Sequence, residues 1–211
     1  MRMKFLFSLY FFVVILSCQN SDPWRPLFNG RDLDGWKHIG EGRFTIQNRM
    51  LVTEGGMGLL WFEKQPFSDC RIRVVYKTEH IQSNSGVFIR IPHPPADPWD
   101  AVHGGYEVQI DDSEDDFHCT GTLYSLTRTS ARPGRPGEWN TMIIELDGTV
   151  TRVWINDVLV TDFTEGDPVP PERETWEPER GRRPYAGFIG IQNHQPEDVV
   201  IFKEISVLPL R

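Results

Sequence analysis

The chain has little cysteine, an outnumbered set of cations, no long hydrophobic run and no sustained helical periodicity. Its three cysteines lack a CxxC spacing, which makes them weak evidence for a metal centre. Lys and Arg number 22 against 30 Asp and Glu, a formal charge of −8, and no basic stripe appears. An acidic body of this kind does not track a phosphate backbone, so nucleic acid is excluded as a partner. The longest apolar run, residues 5–16, is about a dozen residues, short of the roughly 20 that a permanent transmembrane helix needs.

That run has a different meaning. Arg2 and Lys4 precede it, and Ser17-Cys18 ends it, the layout of a signal peptide. Ile15-Leu16-Ser17-Cys18 resembles a bacterial lipobox, with Ile in the usual Leu position, so Cys18 is the expected lipidated first residue of an exported, envelope-anchored protein. Membrane contact would then come only through the N-terminal lipid. Gln19 after Cys18, in place of Asp, points to the outer membrane. The expected layout is a leader over 1–17, a tether over 18–24 and one domain over 25–211. Losing Arg2 and Lys4 with the leader makes the body two charges more negative. Cys70 and Cys119 remain, either paired in an oxidising compartment or held as buried thiols.

Short segments rich in Val, Ile, Phe, Tyr and Thr recur between turn signals, and these predict strands. The predicted strands cover 43–47, 50–53, 59–62, 70–78, 86–91, 106–111, 121–125, 140–147, 149–155, 158–162, 187–193 and 199–208. Leu146-Asp147-Gly148-Thr149 and Ile155-Asn156-Asp157-Val158 look like tight hairpin turns, making 140–162 an antiparallel meander. About a dozen strands in one domain call for an all-β, two-sheet antiparallel sandwich or jelly roll. Three long polar connections, 92–105, 112–120 and 163–186, are candidates for functional loops. The last carries Trp176, Tyr185 and four arginines; Trp176 argues for an ordered lid, with a mobile flap as the alternative.

In Tyr106-Glu107-Val108-Gln109-Ile110-Asp111 polar and apolar residues alternate, so Glu107, Gln109 and Asp111 share one strand face. Alternation alone also fits a solvated outer face. Other strands repeat the pattern: Phe88 with Arg90 just after Asn84, Gln192 with His194, and Arg152 with Trp154 and Asn156. Carboxylate, amide, guanidinium, imidazole and aromatic groups on a concave sheet are what a sugar requires, since hydroxyls take paired donors and acceptors and the pyranose face takes a flat ring. Trp36, Trp61, Trp139 and Trp154 are expected to pack in the core or rim. His80, His93, His103 and His118 are expected in solvent, with His103 near enough to reach the pocket mouth.

Six motifs then occur in order: FNGRDLDGW (28–36), NSGVFIR (84–90), GYEVQID (105–111), TGTLY (120–124), GEWN (137–140) and GFIGIQ (187–192). Together they span essentially the mature chain and resemble the 3-keto-disaccharide hydrolase family. The resemblance implies a concanavalin-like jelly roll and cleavage of glycosides already oxidised to a ketone at C3. Such a ketone acidifies the C2 proton, so a base can remove it, the C1 oxygen can leave, and water can add back. On that reading Glu107 is the candidate base or a metal-binding carboxylate. Arg90 and His194 are candidates to stabilise the oxyanion or protonate the leaving oxygen. Asn84, Phe88, Gln109, Asp111, Tyr124 and Gln192 are the expected substrate contacts. A divalent ion held by Glu107, His194 and a further ligand could polarise the ketone. Arg90 could instead be spent in an ion pair with Glu107. Two other functions share the architecture. A retaining jelly-roll glucanase would use the places of Glu107, Gln109 and Asp111, though Gln at the centre argues against double displacement. A LamG-like module would bind carbohydrate without catalysis.

Overall fold

A computed structural model describes residues 23–210, so the leader and Cys18 lie outside the described residues. In chain order the elements are β1 (Arg25–Pro26), β2 (Trp36–Gly40), β3 (Arg43–Gln47), β4 (Met50–Glu54), β5 (Gly58–Phe62), β6 (Cys70–Thr78) and β7 (Ser85–Ile91). Then come α1 (Pro98–Gly104), β8 (Tyr106–Ile110), β9 (Asn140–Asp147), β10 (Val150–Ile155), β11 (Val158–Thr164), β12 (Phe188–Asn193) and β13 (Val200–Pro209).

Local chemistry explains how the strands are joined. Asn156 and Asp157 have φ of 48° and 66°, and Asn48 and Arg49 have 51° and 65°. Two consecutive positive values are what a two-residue turn of matching twist needs, and they set the β10–β11 and β3–β4 hairpins. The strands form two antiparallel sheets, β11-β10-β9-β6-β13-β4-β3 with β1 on β13, and β2-β5-β12-β7-β8. Alternation along each strand sends one set of side chains between the sheets. Val74, Tyr76, Met142 and Ile144 meet Val87, Ile89, Val108 and Ile110 there, all fully buried. Cys70 lies in this core as a free thiol that burial pushes up to about 12, and Cys119 is also a free buried thiol.

The smaller sheet is covered on its outer face as well. Leu59, Trp61, Phe88 and Ile91 pack beneath Ala101 and Val102 of α1. That helix falls in the 92–105 stretch expected to be loop. Seven residues are too few to show a period, and its signal is the capping box, in which the Asp97 side chain accepts from the Asp100 backbone N–H and Asp100 from the Asp97 backbone N–H, with Pro98 in the first turn. Three further differences from expectation are the strands β1 and β2, and residues 121–125, which form turns. Positive φ at Gly121 (89°) and Ser125 (60°) breaks up the latter segment, yet it still covers the free edge of β8 through Gln109 N–H to Thr122 O and Tyr124 N–H to Glu107 O. Trp36 and Trp61 are buried, while Trp139 is exposed beneath Lys77 and Lys203.

Arg90 sits at a bulge. Phe88 pairs with Gly190 and Ile91 with Phe188, so two residues of β7 oppose one of β12, and Arg90 takes φ 54°. The bulge keeps Phe88 and Ile91 on the outer face and sends the Arg90 side chain elsewhere. Its guanidinium is buried and donates to Pro184 O (3.1 Å), Tyr185 O (3.0 Å) and Gly148 O (2.8 Å). It therefore ties the 165–187 segment and the β9–β10 turn together. Gly187 allows this approach, because a Cβ there would lie 2.3 Å from the Arg90 carbonyl carbon. Replacing Arg90 by Met, which keeps the volume but strands three carbonyls, should lower stability by about 3 kcal/mol in urea unfolding.

Candidate active site

The covered outer face of the smaller sheet holds a cleft of about 290 Å³, lined by Asn84, Glu107, Gln109, Tyr124, Gln192 and His194 together with Met57, Trp99, Val102 and Trp176. Six of the residues expected from sequence thus converge. Their strands explain it: β7 and β8 are paired with Gly86 opposite Gln109 and Phe88 opposite Glu107, and β12 lies on the other side of β7.

Glu107 is 7% exposed, and burial pushes its carboxyl up to about 8 with no cation offsetting the effect. Its side chain lies across the Gly86 α-carbon, where an added Cβ would stand 2.1 Å from Oε1. Gln109 completes the seat when its amide nitrogen faces Ser85 O (3.2 Å) and Glu107 Oε1 (3.3 Å). Tyr124 is also pushed up, first by burial and then by the nearby Glu107 carboxylate, so its phenol keeps its proton. His194 Nδ1 is 2.7 Å from Asp198 Oδ2, and Asp198 Oδ1 accepts the Asn84 backbone N–H at 3.0 Å. That carboxylate fixes the imidazole and leaves Nε2 as the ring nitrogen without a protein partner among the described residues. Asp198 was not expected from the sequence; its spacing of four from His194 was the available signal. Asn84 Oδ1 and Gln192 Oε1 are buried acceptors with no hydrogen-bond partner among the described residues.

Three expected contacts lie elsewhere. Arg90 was placed with Phe88 by strict alternation, but the bulge turns it away from the cleft, and it makes neither a contact with this site nor an ion pair with Glu107. Phe88 is buried beneath α1 as packing. Asp111 follows the end of β8 and turns back on its own loop, its Oδ1 accepting from Ser113 N (2.8 Å) and Oγ (2.7 Å). Among the described residues no three His, Cys, Asp or Glu side chains converge in a group that could hold a metal ion. His118, expected in solvent, is held by Asp115 Oδ1 and Ser125 Oγ, each at 2.9 Å. His103, as the sequence suggested, stands at the mouth, stacked on Trp99 and contacting Glu177 O.

The long 165–187 segment borders the cleft and is held by its arginines. Arg183 donates to Gly105 O, His103 O and Glu179 O and lies over the Tyr106 ring, while Arg180 pairs with Glu177 at 2.7 Å.

A two-sheet jelly-roll sandwich with a polar, aromatic-edged cleft on its smaller sheet is the class that fold and site define. Within that class the chain belongs to the family of 3-keto-alpha-glucoside-1,2-lyase-like domains, whose model matches residues 23–208. Two solved structures from Parabacteroides distasonis ATCC 8503, each named a "putative glycosyl hydrolase", share its fold. One is 20% identical over 89% of this chain and 94% of that chain with a TM-score of 0.72. The other is 23% identical over 89% and 99% with a TM-score of 0.71. The carbohydrate-binding module CBM66 from Bacillus subtilis is 14% identical over 82% and 95%, with a TM-score of 0.57. No curated protein matches the chain in sequence.

Because the Glu107 pKa is raised on folding, the folded state holds a proton that the unfolded chain releases, so this group costs stability as pH rises from about 4.5 to about 8. Glu107→Gln should therefore stabilise the protein progressively across that window, on the order of 1.4 kcal/mol per pH unit, with little effect below it. Gly86→Ala, which displaces the carboxyl from its seat, should flatten the same pH dependence. Urea unfolding at pH 5, 7 and 9 checks both.

Proposed function

We propose that this protein cleaves 3-keto-glycosides by removing the C2 proton, expelling the C1 oxygen and adding water. The observation that carries the reading is Glu107, a desolvated carboxyl facing the cleft with its pKa raised to about 8 and no counter-ion among the described residues. A base of that strength is suited to a proton acidified by a neighbouring ketone, because its conjugate acid is close to the working pH. Glu107 takes the C2 proton, and the electrons delocalise onto the C3 oxygen. The C1–O bond then breaks, leaving a C1=C2 double bond conjugated to the ketone. His194, oriented by Asp198, supplies the proton for the leaving oxygen, and the Tyr124 phenol lies close enough to Glu107 to steady the developing charge. Water adds at C1 and a proton returns to C2, so the net change is hydrolysis. Asn84 and Gln192 accept hydroxyl donors from the ring.

The glucanase alternative loses its support in the geometry. Asp111, which would have been the partner of Glu107 on the same strand face, points into its own loop instead. Export and anchoring through Cys18 are part of the proposal, placing the enzyme in the cell envelope, where glycosides from outside first arrive.

Purified protein offered a 3-keto-glucoside beside its unoxidised parent should turn over only the ketone. Its kcat/KM should rise with pH toward a plateau above about 8, as Glu107 loses its proton. Glu107→Gln should cost at least about 100-fold. Turnover of the parent sugar at a similar rate would overturn the reading.

A further inference from the structure

Beside the Glu107 cleft lies a second cavity of about 390 Å³, sharing Asn84, Gln109, Tyr124 and Trp176 with it. The two are lobes of one groove with different chemistry. Met57, Trp99 and Val102 give the Glu107 lobe an apolar wall opposite its polar groups. The second lobe is bounded by Glu114, Asp115, Arg173, Glu174 and Glu177. Asp115 pairs with His118 and Glu177 with Arg180, while Glu114, Glu174 and Arg173 form no ion pair among the described residues, two carboxylates against one guanidinium, which leaves the lobe net negative. Trp176 stands at the junction, 51% exposed, its ring stacked on no other aromatic or cation among the described residues. A large flat ring left uncovered where two cavities join, beside the buried and unpartnered Asn84 Oδ1, has the chemistry of a pyranose platform.

We propose that the second lobe binds the leaving group as a pyranose ring stacked on Trp176, and that its carboxylates select neutral or amine-bearing leaving sugars against carboxylate-bearing ones. This assignment rests on the reaction proposed for Glu107. The C2 proton must reach Glu107, which lines only the first lobe, so the oxidised ring belongs there. A polar leaving group then extends past Tyr124 and Asn84 into the polar lobe rather than against Met57 and Val102. Glu114 and Glu174 repel a uronate at short range, with a penalty that added salt weakens.

The test uses three substrates with the same 3-keto-glucosyl ring and a methyl, glucosyl or glucuronyl leaving group. Wild type should prefer glucosyl over glucuronyl by about tenfold or more at low salt. Trp176→Ala should lower kcat/KM about tenfold for the glucosyl substrate and leave the methyl substrate within about twofold, and Trp176→Phe should restore most of the loss. The double variant Glu114→Gln, Glu174→Gln should raise kcat/KM for the glucuronyl substrate alone. Equal losses for methyl and glucosyl substrates in Trp176→Ala, or no loss for either, would overturn the platform. An unchanged glucuronyl rate in the double variant would overturn the charge selection. If wild type turns over none of the three, the reaction itself is wrong, and calorimetric binding of the glucosyl compound decides the lobe: weaker binding by Trp176→Ala supports it, and equal binding overturns it.

Discussion

A carboxyl group held out of water without a counter-ion is the constraint on which the rest of the site depends. Glu107 is in that state because the smaller sheet is covered on both faces, by the inter-sheet core on one side and by α1 with the 165–187 segment on the other. An antiparallel sheet that faced water on its outer side would have solvated the same residue and left it an ordinary acid. Gly86 matters for the same reason, since the space of its missing side chain is where the carboxylate lies.

Holding the cover in place takes buried polar work at some distance from the chemistry. Arg90 and Arg183 are the two clasps. Arg90 joins Pro184, Tyr185 and Gly148 from inside the sandwich, and Arg183 joins Gly105, His103 and Glu179 near the start of β8. Each replaces lost hydration with several carbonyl acceptors, the condition under which a buried guanidinium is tolerable. The four arginines of the segment thus divide, with Arg180 and Arg183 structuring the part that carries Trp176.

The sequence made the sandwich, its central meander and most of the cleft legible because alternation is a period-two signal, and β8 and β12 follow it without interruption through Glu107, Gln109 and Gln192. Where alternation was broken, inference failed. A single extra residue at Arg90 reverses the parity of β7, and no local motif marks it, since Arg is not a residue that favours positive φ. Asp111 was misplaced because strand β8 ends one residue earlier than expected. Helix α1 was hidden by its brevity; Asp198 left only its spacing of four from His194 as a trace, and its contact with Asn84 arises only in the folded chain.

The central claim is that the C2 proton is removed during cleavage, and one measurement addresses it directly. A 3-keto-glucoside is turned over in deuterium oxide, and the released sugar is analysed at early times by proton NMR. Elimination and hydration through Glu107 predict one solvent deuterium at C2 in each product molecule. Product that keeps its original hydrogen at C2 would mean displacement at C1 without proton abstraction, and would contradict the account.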